Sequence, residues 1–376
     1  MISEGQPNLL QKQAPVSRVL VYSAIIIPVL TLVIFIGMFT NGNKAANIAG
    51  SLDGSTTPQQ SGAVRSSDAI LSDTDAVGLA TGLGRDSVRW FDQRSGKAFE
   101  GDLRSGTVKV ISDQEVPGFA SGIWIPGEQQ AFLVTEDARM GRRFQFYDYR
   151  TGSGHVVDDI SLLAVSPHGT RIAYVGSSTE GSMVVRVANI DGGDPKTIFL
   201  TRLGITDIVW KGEDALLLSV WKSGATLTDL VELSLDGTLS SVVEGKENLE
   251  FIVSDQGSVL TTYHDPSEDT NTAIIDPATA QQRYLLEQTS AKKCAWAPDG
   301  NSLLCGIPRD ASQGQGSSLA ATDDRIVTID AQTGAMSATI STSGDRVGVY
   351  SPVLSSSGTR AAYIDLFDRR VHMVNF

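Results

Sequence analysis

The segment Ala297-Pro298-Asp299-Gly300 is one of seven similar turns that recur along the chain. Its counterparts are the four-residue segments 82–85, 125–128, 166–169, 211–214, 254–257 and 355–358. From Gly84 to Gly358 their glycines lie 43, 42, 43, 45, 43 and 58 residues apart. A period of 40 to 50 residues is typical of a β-propeller, because a small sheet buries both of its faces only between neighbouring sheets.

Each turn lies among short apolar segments. In the third repeat these are residues 160–165, 171–175, 183–190 and 197–200, which are rich in strand-forming residues and separated by turn formers. The fourth and sixth repeats have the same order of segments. The sequence therefore predicts an all-β fold, a seven-bladed β-propeller over residues 68–376, with six or eight blades as alternative counts.

The seventh repeat supplies only three such segments before the chain ends at Phe376. A spare segment, residues 67–71, precedes the first turn. We expect this segment to complete the last blade and so to close the ring by strand exchange.

The segment from Trp296 to Leu304, WAPDGNSLL, resembles the repeat W-S-P-D-G-K-x-I-A-F of the TolB-like (PD40, WD40-like) propellers of bacterial envelopes. Residues 166–174, SPHGTRIAY, form a second copy, and the other copies are degenerate. The resemblance implies a propeller fold and the binding of proteins or peptides. Tol-system propellers lack the apolar N-terminal segment described below, so their particular partners are not carried over.

Residues 19–39, VLVYSAIIIPVLTLVIFIGMF, contain no charge. At about 1.5 Å per residue, a helix of this length crosses the roughly 30 Å hydrocarbon layer of a bilayer. We predict a transmembrane helix here; a cleaved signal peptide is the alternative, although its apolar region spans only about 7–15 residues. Residues 40–67 are rich in Gly, Ser and Thr and predict a flexible linker.

Basic residues flank the predicted span unequally. Lys12 and Arg18 precede it, and only Lys44 follows closely. Since basic residues favour the cytoplasmic side, residues 1–18 are expected in the cytoplasm and the propeller outside it. The predicted location is the cell (inner or cytoplasmic) membrane, crossed once.

The composition excludes one class of partner and leaves little material for several kinds of site. The chain of 376 residues has a net charge of −13, which argues against nucleic-acid binding because that requires a basic surface. Two cysteines and four histidines leave little for a metal site, and neither a G-x-S-x-G elbow nor a Walker A loop occurs. We expect no catalytic residue, cofactor or metal.

Cys294 and Cys305 lie symmetrically about the sixth turn. In an antiparallel hairpin they would face each other with Cβ atoms about 4.5–5.5 Å apart, close to what a disulfide requires. We favour a disulfide between them, and a pair of buried thiols is the alternative.

These observations predict a non-catalytic, membrane-anchored module that binds proteins or peptides, or acts as a scaffold, in the cell envelope. One alternative is an envelope enzyme that acts on glycans through carboxylates near the propeller axis. Another is a structural subunit of an envelope machine. Three loops are further candidates for a functional site. One is the long polar loop of residues 309–324. The other two are charged: the first contains Asp265, Glu268 and Asp269, and the second contains Glu136, Asp137, Arg139, Arg142 and Arg143.

Overall fold

The computed structural model describes residues 64–65, 69–178, 180–221, 226–265, 270–276, 279–310, 321–342 and 346–376. The predicted cytoplasmic segment 1–18, the predicted span 19–39 and nearly all of the predicted linker lie outside these residues. Within the described part, no helix is long and apolar enough to cross a membrane.

The first three repeats each form one antiparallel four-stranded sheet, with the strands paired in chain order. The first repeat consists of β3 (Ala76–Thr81), β4 (Ser87–Asp92), β5 (Ala98–Asp102) and β6 (Val108–Ser112). The second consists of β7 (Phe119–Trp124), β8 (Gln130–Asp137), β9 (Gly141–Asp148) and β10 (Ser153–Val157). The third consists of β11 (Leu162–Val165), β12 (Arg171–Ser177), β13 (Met183–Asn189) and β14 (Lys196–Thr201).

The fourth and fifth repeats share one long strand, which the sequence did not predict. They contain β15 (Gly204–Lys211), β16 (Ala215–Trp221), β17 (Thr228–Ser234), β18 (Leu239–Val253), β19 (Val259–His264), β20 (Thr270–Ile275) and β21 (Gln282–Tyr284). The first part of β18 pairs with β17 and its second part with β19. Positive φ angles at Gly245 and Asn248, 60° and 50°, accompany the change of partner. The fourth segment, expected at residues 239–243, therefore continues without a break into the next repeat.

The sixth repeat begins with a 3-10 helix, Ala291–Lys293, and the seventh is the last in the chain. The strands of the sixth are β22 (Cys294–Trp296), β23 (Ser302–Pro308), β24 (Asp324–Asp330) and β25 (Met336–Ser341). Those of the seventh are β26 (Val349–Leu354), β27 (Arg360–Asp365) and β28 (Val371–Asn375).

Two short strands from the start of the described chain join these last sheets. β1 (Val64–Arg65) pairs in parallel with β25. β2 (Ala69–Ile70) pairs antiparallel with β28, and the amide of Leu71 extends the pairing by donating to the carbonyl of Val371 at 2.7 Å. The predicted completion of the last sheet by residues near 67–71 is therefore confirmed.

Each of the seven predicted turns joins the first and second strands of its repeat. In the sixth turn, the amide of Ala297 donates to the carbonyl of Ser302 at 2.8 Å. Gly300 has a φ of 67°, a left-handed conformation that glycine adopts without the strain of a Cβ atom. The conformational demand at this position explains why glycine recurs in the turns.

The core consists of clusters that lie between consecutive repeats. Within the described residues, seven hydrophobic clusters each take most of their buried side chains from two neighbouring repeats. One of them joins the seventh repeat back to the first, through Ala362 and Ile364 on one side and Val88 and Trp90 on the other. The sheets therefore bury their faces against each other in a closed order.

Candidate functional site

A cavity of about 680 Å³ lies among the first strands of four repeats. Its walls come from β3, the second part of β18, β22 and β26. Asp255, Pro298 and Ser356 also line it, so the cavity reaches the turns between first and second strands. A volume of several hundred Å³ is typical of ligand sites in proteins.

The first strands are irregular. In the described chain, β3, β7, β15, β18 and β26 each shift register against the second strand of their repeat. In β26 the shift lies between Tyr350 and Val353, and Ser351 has a φ of 46°. Such bulges interrupt the hydrogen-bond ladder and are frequent beside functional sites. The shifts in β3 and β26 involve Ala80, Tyr350 and Val353, which line the cavity.

Two consecutive lysines at the start of the sixth repeat have different surroundings. Lys292 lines the cavity and forms no ion pair with the described residues. Lys293 is buried, and its ammonium lies 2.8 Å from the carboxylate of Asp324. The 3-10 helix that contains both is capped by Ser290, whose hydroxyl accepts from the amide of Lys292 at 3.1 Å and donates to Glu250 at 2.5 Å.

Asp207, on β15, is the acid whose charge interacts with Lys292. Burial raises the pKa of Asp207, while Lys292 and a hydrogen bond from the amide of Ile208 oppose that rise. A carboxyl group with a raised pKa beside a lysine can exchange protons with a bound ligand.

Three tryptophans occupy the same position in alternate repeats. Trp124, Trp210 and Trp296 are 86 residues apart and precede the turns of the second, fourth and sixth repeats. Each stands opposite the corresponding residue of the second strand, as the register shows. Trp296 is the member of this set that lines the cavity.

The structure joins Cys294 and Cys305 in a disulfide. The two residues are directly opposite each other on β22 and β23, with Sγ atoms 2.08 Å apart. Both are buried, and Cys294 lies on the cavity wall. The bridge therefore fastens the innermost strand of the sixth repeat to its neighbour.

The charged loops proposed from the sequence make local ion pairs. Asp265 pairs with Lys246, and Glu136 lies 2.9 Å from Arg142. Glu268, Asp269 and residues 311–320 of the long loop lie outside the described residues. None of the described charged-loop residues lines the central cavity.

The four histidines are dispersed. His168 lies 2.7 Å from Glu213, and His372 lies 3.0 Å from Asp368. Across the described residues, no three His, Cys, Asp or Glu side chains are placed to hold a metal ion.

Sequence reasoning did not identify Lys292 or Trp296 as cavity residues, or Asp207 as the acid that interacts with Lys292. The 86-residue spacing of the tryptophans was a readable signal of their equivalence. Which of the three faces the centre depends on packing between repeats, and the spacing carries no information about that packing.

No protein-family model matches the chain, and no curated protein matches it. Solved structures do. An oligogalacturonate lyase in complex with manganese is 12% identical, with a TM-score of 0.62 over 85% of this chain and 94% of that one. An oligogalacturonate lyase from Vibrio parahaemolyticus is 10% identical, with a TM-score of 0.58 over 84% and 98%. The β-propeller domain of Cps50 (Swd1) from Myceliophteria thermophila is 11% identical, with a TM-score of 0.56 over 82% and 99%.

These likenesses correct one expectation. The chain was expected not to be an enzyme because it lacks familiar catalytic motifs. That inference is wrong, since two structures of similar fold are named as lyases and the same fold therefore supports catalysis.

The narrower resemblance to TolB-like propellers stays a prediction, because none of these likenesses tests it. What they share with this chain is the fold, at identities of 10 to 12%. Together with the strand order and the closed series of cores, they show that the described residues between 69 and 376 fold as a β-propeller.

Proposed function

We propose that the chain is a single-pass membrane protein whose propeller lies outside the cytoplasm and binds a protein or peptide segment in its central cavity. The observation that carries this proposal is the cavity of about 680 Å³ beside irregular first strands, with Lys292 and Asp255 forming no ion pair with the described residues. Unpaired charges and interrupted backbone ladders are groups that a ligand can satisfy.

The propeller is inferred to have seven blades. Counting β18 once in each half of the seven-stranded sheet divides that sheet into two four-stranded blades. The other five sheets then supply one blade each, and seven hydrophobic clusters lie between successive blades of the described chain.

Membrane attachment rests on residues 19–39, and the outward orientation rests on Lys12 and Arg18 ahead of them. A disulfide agrees with an extracytoplasmic domain, because disulfides persist in oxidising compartments. The envelope location and the TolB-like resemblance together favour an envelope protein as partner.

A second candidate is an envelope enzyme that acts on acidic glycans. It is favoured by the shared fold with two oligogalacturonate lyases and by Asp207, whose pKa is raised by burial beside Lys292. In this role Lys292 would exchange protons with a sugar held in the cavity, and Asp207 would act through its interaction with Lys292.

Photo-crosslinking of the full chain in its own membrane separates the two candidates. A photoreactive residue in place of Tyr350, which lines the cavity, should capture the same envelope protein repeatedly, and a second in place of exposed Lys109 should not. Capture of no reproducible protein would contradict binding. In parallel, the chain should be incubated with oligogalacturonate as substrate, and formation of unsaturated product should be followed by its ultraviolet absorbance. Product formation that is lost in Asp207→Asn and kept in Asp299→Asn would establish the enzyme instead.

A further inference from the structure

The three equivalent tryptophans have different partners. The guanidinium of Arg89 lies 4.6 Å from the ring centre of Trp124, and that of Arg171 lies 5.0 Å from the ring centre of Trp210. In both cases an arginine from the preceding repeat covers the indole. Cations bind the face of an indole because of its negative π-surface.

Trp296 has no such cover within the described chain. The strand register places Ser258 where the third repeat has Arg171, and Leu260 where the first has Arg89. Neither residue carries a charge. The indole N–H groups of Trp124 and Trp296 both lack an acceptor in the described residues, whereas that of Trp210 donates to the carbonyl of Ala164 at 3.1 Å, so it is the missing cation that distinguishes Trp296.

Trp296 is also the one of the three that lines the central cavity. The turn that follows it adjoins the turn of the fifth repeat, because the side chain of Gln256 packs directly on Gly300. Asp255, beside Gln256, is exposed and lines the same cavity. The turn end of the cavity thus offers an indole and a carboxylate together.

The charges around this end leave Asp255 without a counter-ion. No cation of the described chain forms an ion pair with it, and the cavity's own lysine, Lys292, interacts with Asp207. Glu250, near Lys292, accepts the hydroxyl of Ser290. Asp255 and Lys292 are the charged residues of the cavity lining, and of the two it is Asp255 that has no oppositely charged group of the described chain beside it, which favours a cationic ligand at this end.

We propose that Trp296 and Asp255 bind a basic side chain, a guanidinium or ammonium group, of a peptide that enters the central cavity. The ligand's cation takes the place that Arg89 and Arg171 occupy over the equivalent tryptophans. This inference rests on the proposed peptide-binding function and specifies the chemistry of its ligand.

The test is a titration of the full chain, solubilised in detergent, with a fluorescent hexapeptide that contains two arginines. The comparison peptide has citrulline in both positions, which keeps the shape and removes the charge. Anisotropy should show roughly tenfold tighter binding of the arginine peptide, with an affinity that falls as salt rises. Equal binding of the two peptides, or no binding of either, overturns the inference.

Two variants with matched controls assign the site. Trp296→Leu should weaken binding of the arginine peptide roughly tenfold. The control Trp221→Leu removes an indole that is 50% exposed and outside the cavity lining, and should leave binding unchanged. Asp255→Asn should weaken it severalfold, while Asp299→Asn, in the adjacent turn, should not. If Trp296→Leu fails to fold, the comparison of Asp255→Asn with Asp299→Asn tests the inference. Unchanged affinity in Asp255→Asn overturns the inference, whereas an envelope protein crosslinked in the cavity with no preference for arginine would leave the proposed function intact.

Discussion

Asp86 and Ser357 are 271 residues apart in the sequence, and the hydroxyl of Ser357 donates a hydrogen bond to the carboxylate of Asp86. Arg104 donates to the same carboxylate at 2.5 Å. Next to them, the hydroxyl of Ser356 donates to the carbonyl of Arg85 at 2.5 Å. These bonds tie the turn of the seventh repeat to that of the first, so the ring is closed by polar contacts as well as by β2.

Asp86 should make the stability of the ring sensitive to acid. The hydroxyl of Ser357, assisted by Arg104, lowers the pKa of Asp86 from 3.8 to about 2. Because the folded carboxyl binds its proton more weakly than the unfolded one, the contribution is complete above the unfolded pKa and is lost as the pH falls towards about 2. Asp86→Asn should therefore unfold more easily than the parent at pH 6 and no more easily at pH 2.

Acid titrations followed by circular dichroism would measure this difference. Asp299→Asn, an exposed carboxyl in another turn, is the matched control and should track the parent at every pH. If the difference in the free energy of unfolding between Asp86→Asn and the parent is the same from pH 6 to pH 2, ionised Asp86 does not have this role.

The disulfide should be present in protein taken from its own compartment. Intact mass without reductant should be lower by the two thiol hydrogens of Cys294 and Cys305. Both residues are buried on paired strands. Closing a short loop with a disulfide stabilises a fold by about 3 kcal/mol, so replacing both cysteines with serine should lower the free energy of unfolding by that amount. Free thiols at both positions in such protein would show that the bridge is not its native state.

Arg89 should be important to the contact between the first two repeats. Its guanidinium donates to the carbonyls of Thr81, Ile125 and Glu128 at 3.1, 3.2 and 2.5 Å, and burial lowers its pKa to about 10, so it stays charged at neutral pH. Arg89→Met removes all three of these hydrogen bonds and the contact with Trp124, and should cost about 3 kcal/mol in urea unfolding. Arg150→Met, whose side chain is 75% exposed, is the control and should cost less than about 1 kcal/mol. Equal losses in the two variants would argue against the bridging role.

The regular part of the fold was predictable, because a turn that needs glycine at a fixed interval is visible in the sequence. The return of the chain to complete the last sheet was predictable too, since the seventh repeat lacked a strand. The continuous strand β18 was not, because no proline interrupts residues 239–253 and the change of partner depends on the neighbouring strands. The inference that the chain is not an enzyme was wrong, because an absent motif excludes only those enzymes that use it.

The cavity residues were harder to predict for a related reason. Lys292 and Lys293 look alike in the sequence, yet one lines the cavity and the other is buried in an ion pair, because the 3-10 helix separates their environments. The partner of Lys293, Asp324, is the last residue of the long loop predicted from the sequence and the first residue of β24. Whether Asp324 comes close to Lys293 depends on how β23 and β24 pair across that loop.

The ion pair of Lys293 and Asp324 gives the last prediction. Their side chains are 4% and 0% exposed. The carboxylate also accepts from the amide of Val349 at 2.9 Å, so the pair joins the sixth repeat to the seventh. Removing one partner of a buried pair leaves the other charge uncompensated, which costs about 3–5 kcal/mol. Asp324→Asn and Lys293→Met should each lose that much in the free energy of unfolding.

A double-mutant cycle checks whether the cost comes from the unpaired charge. Lys293→Met combined with Asp324→Asn should lose less than the sum of the two single replacements, because no buried charge remains. Asp323→Asn is the control: its partner Arg309 is half exposed, so its loss should be about 1 kcal/mol or less. Strictly additive losses across the cycle would mean that the two side chains act independently.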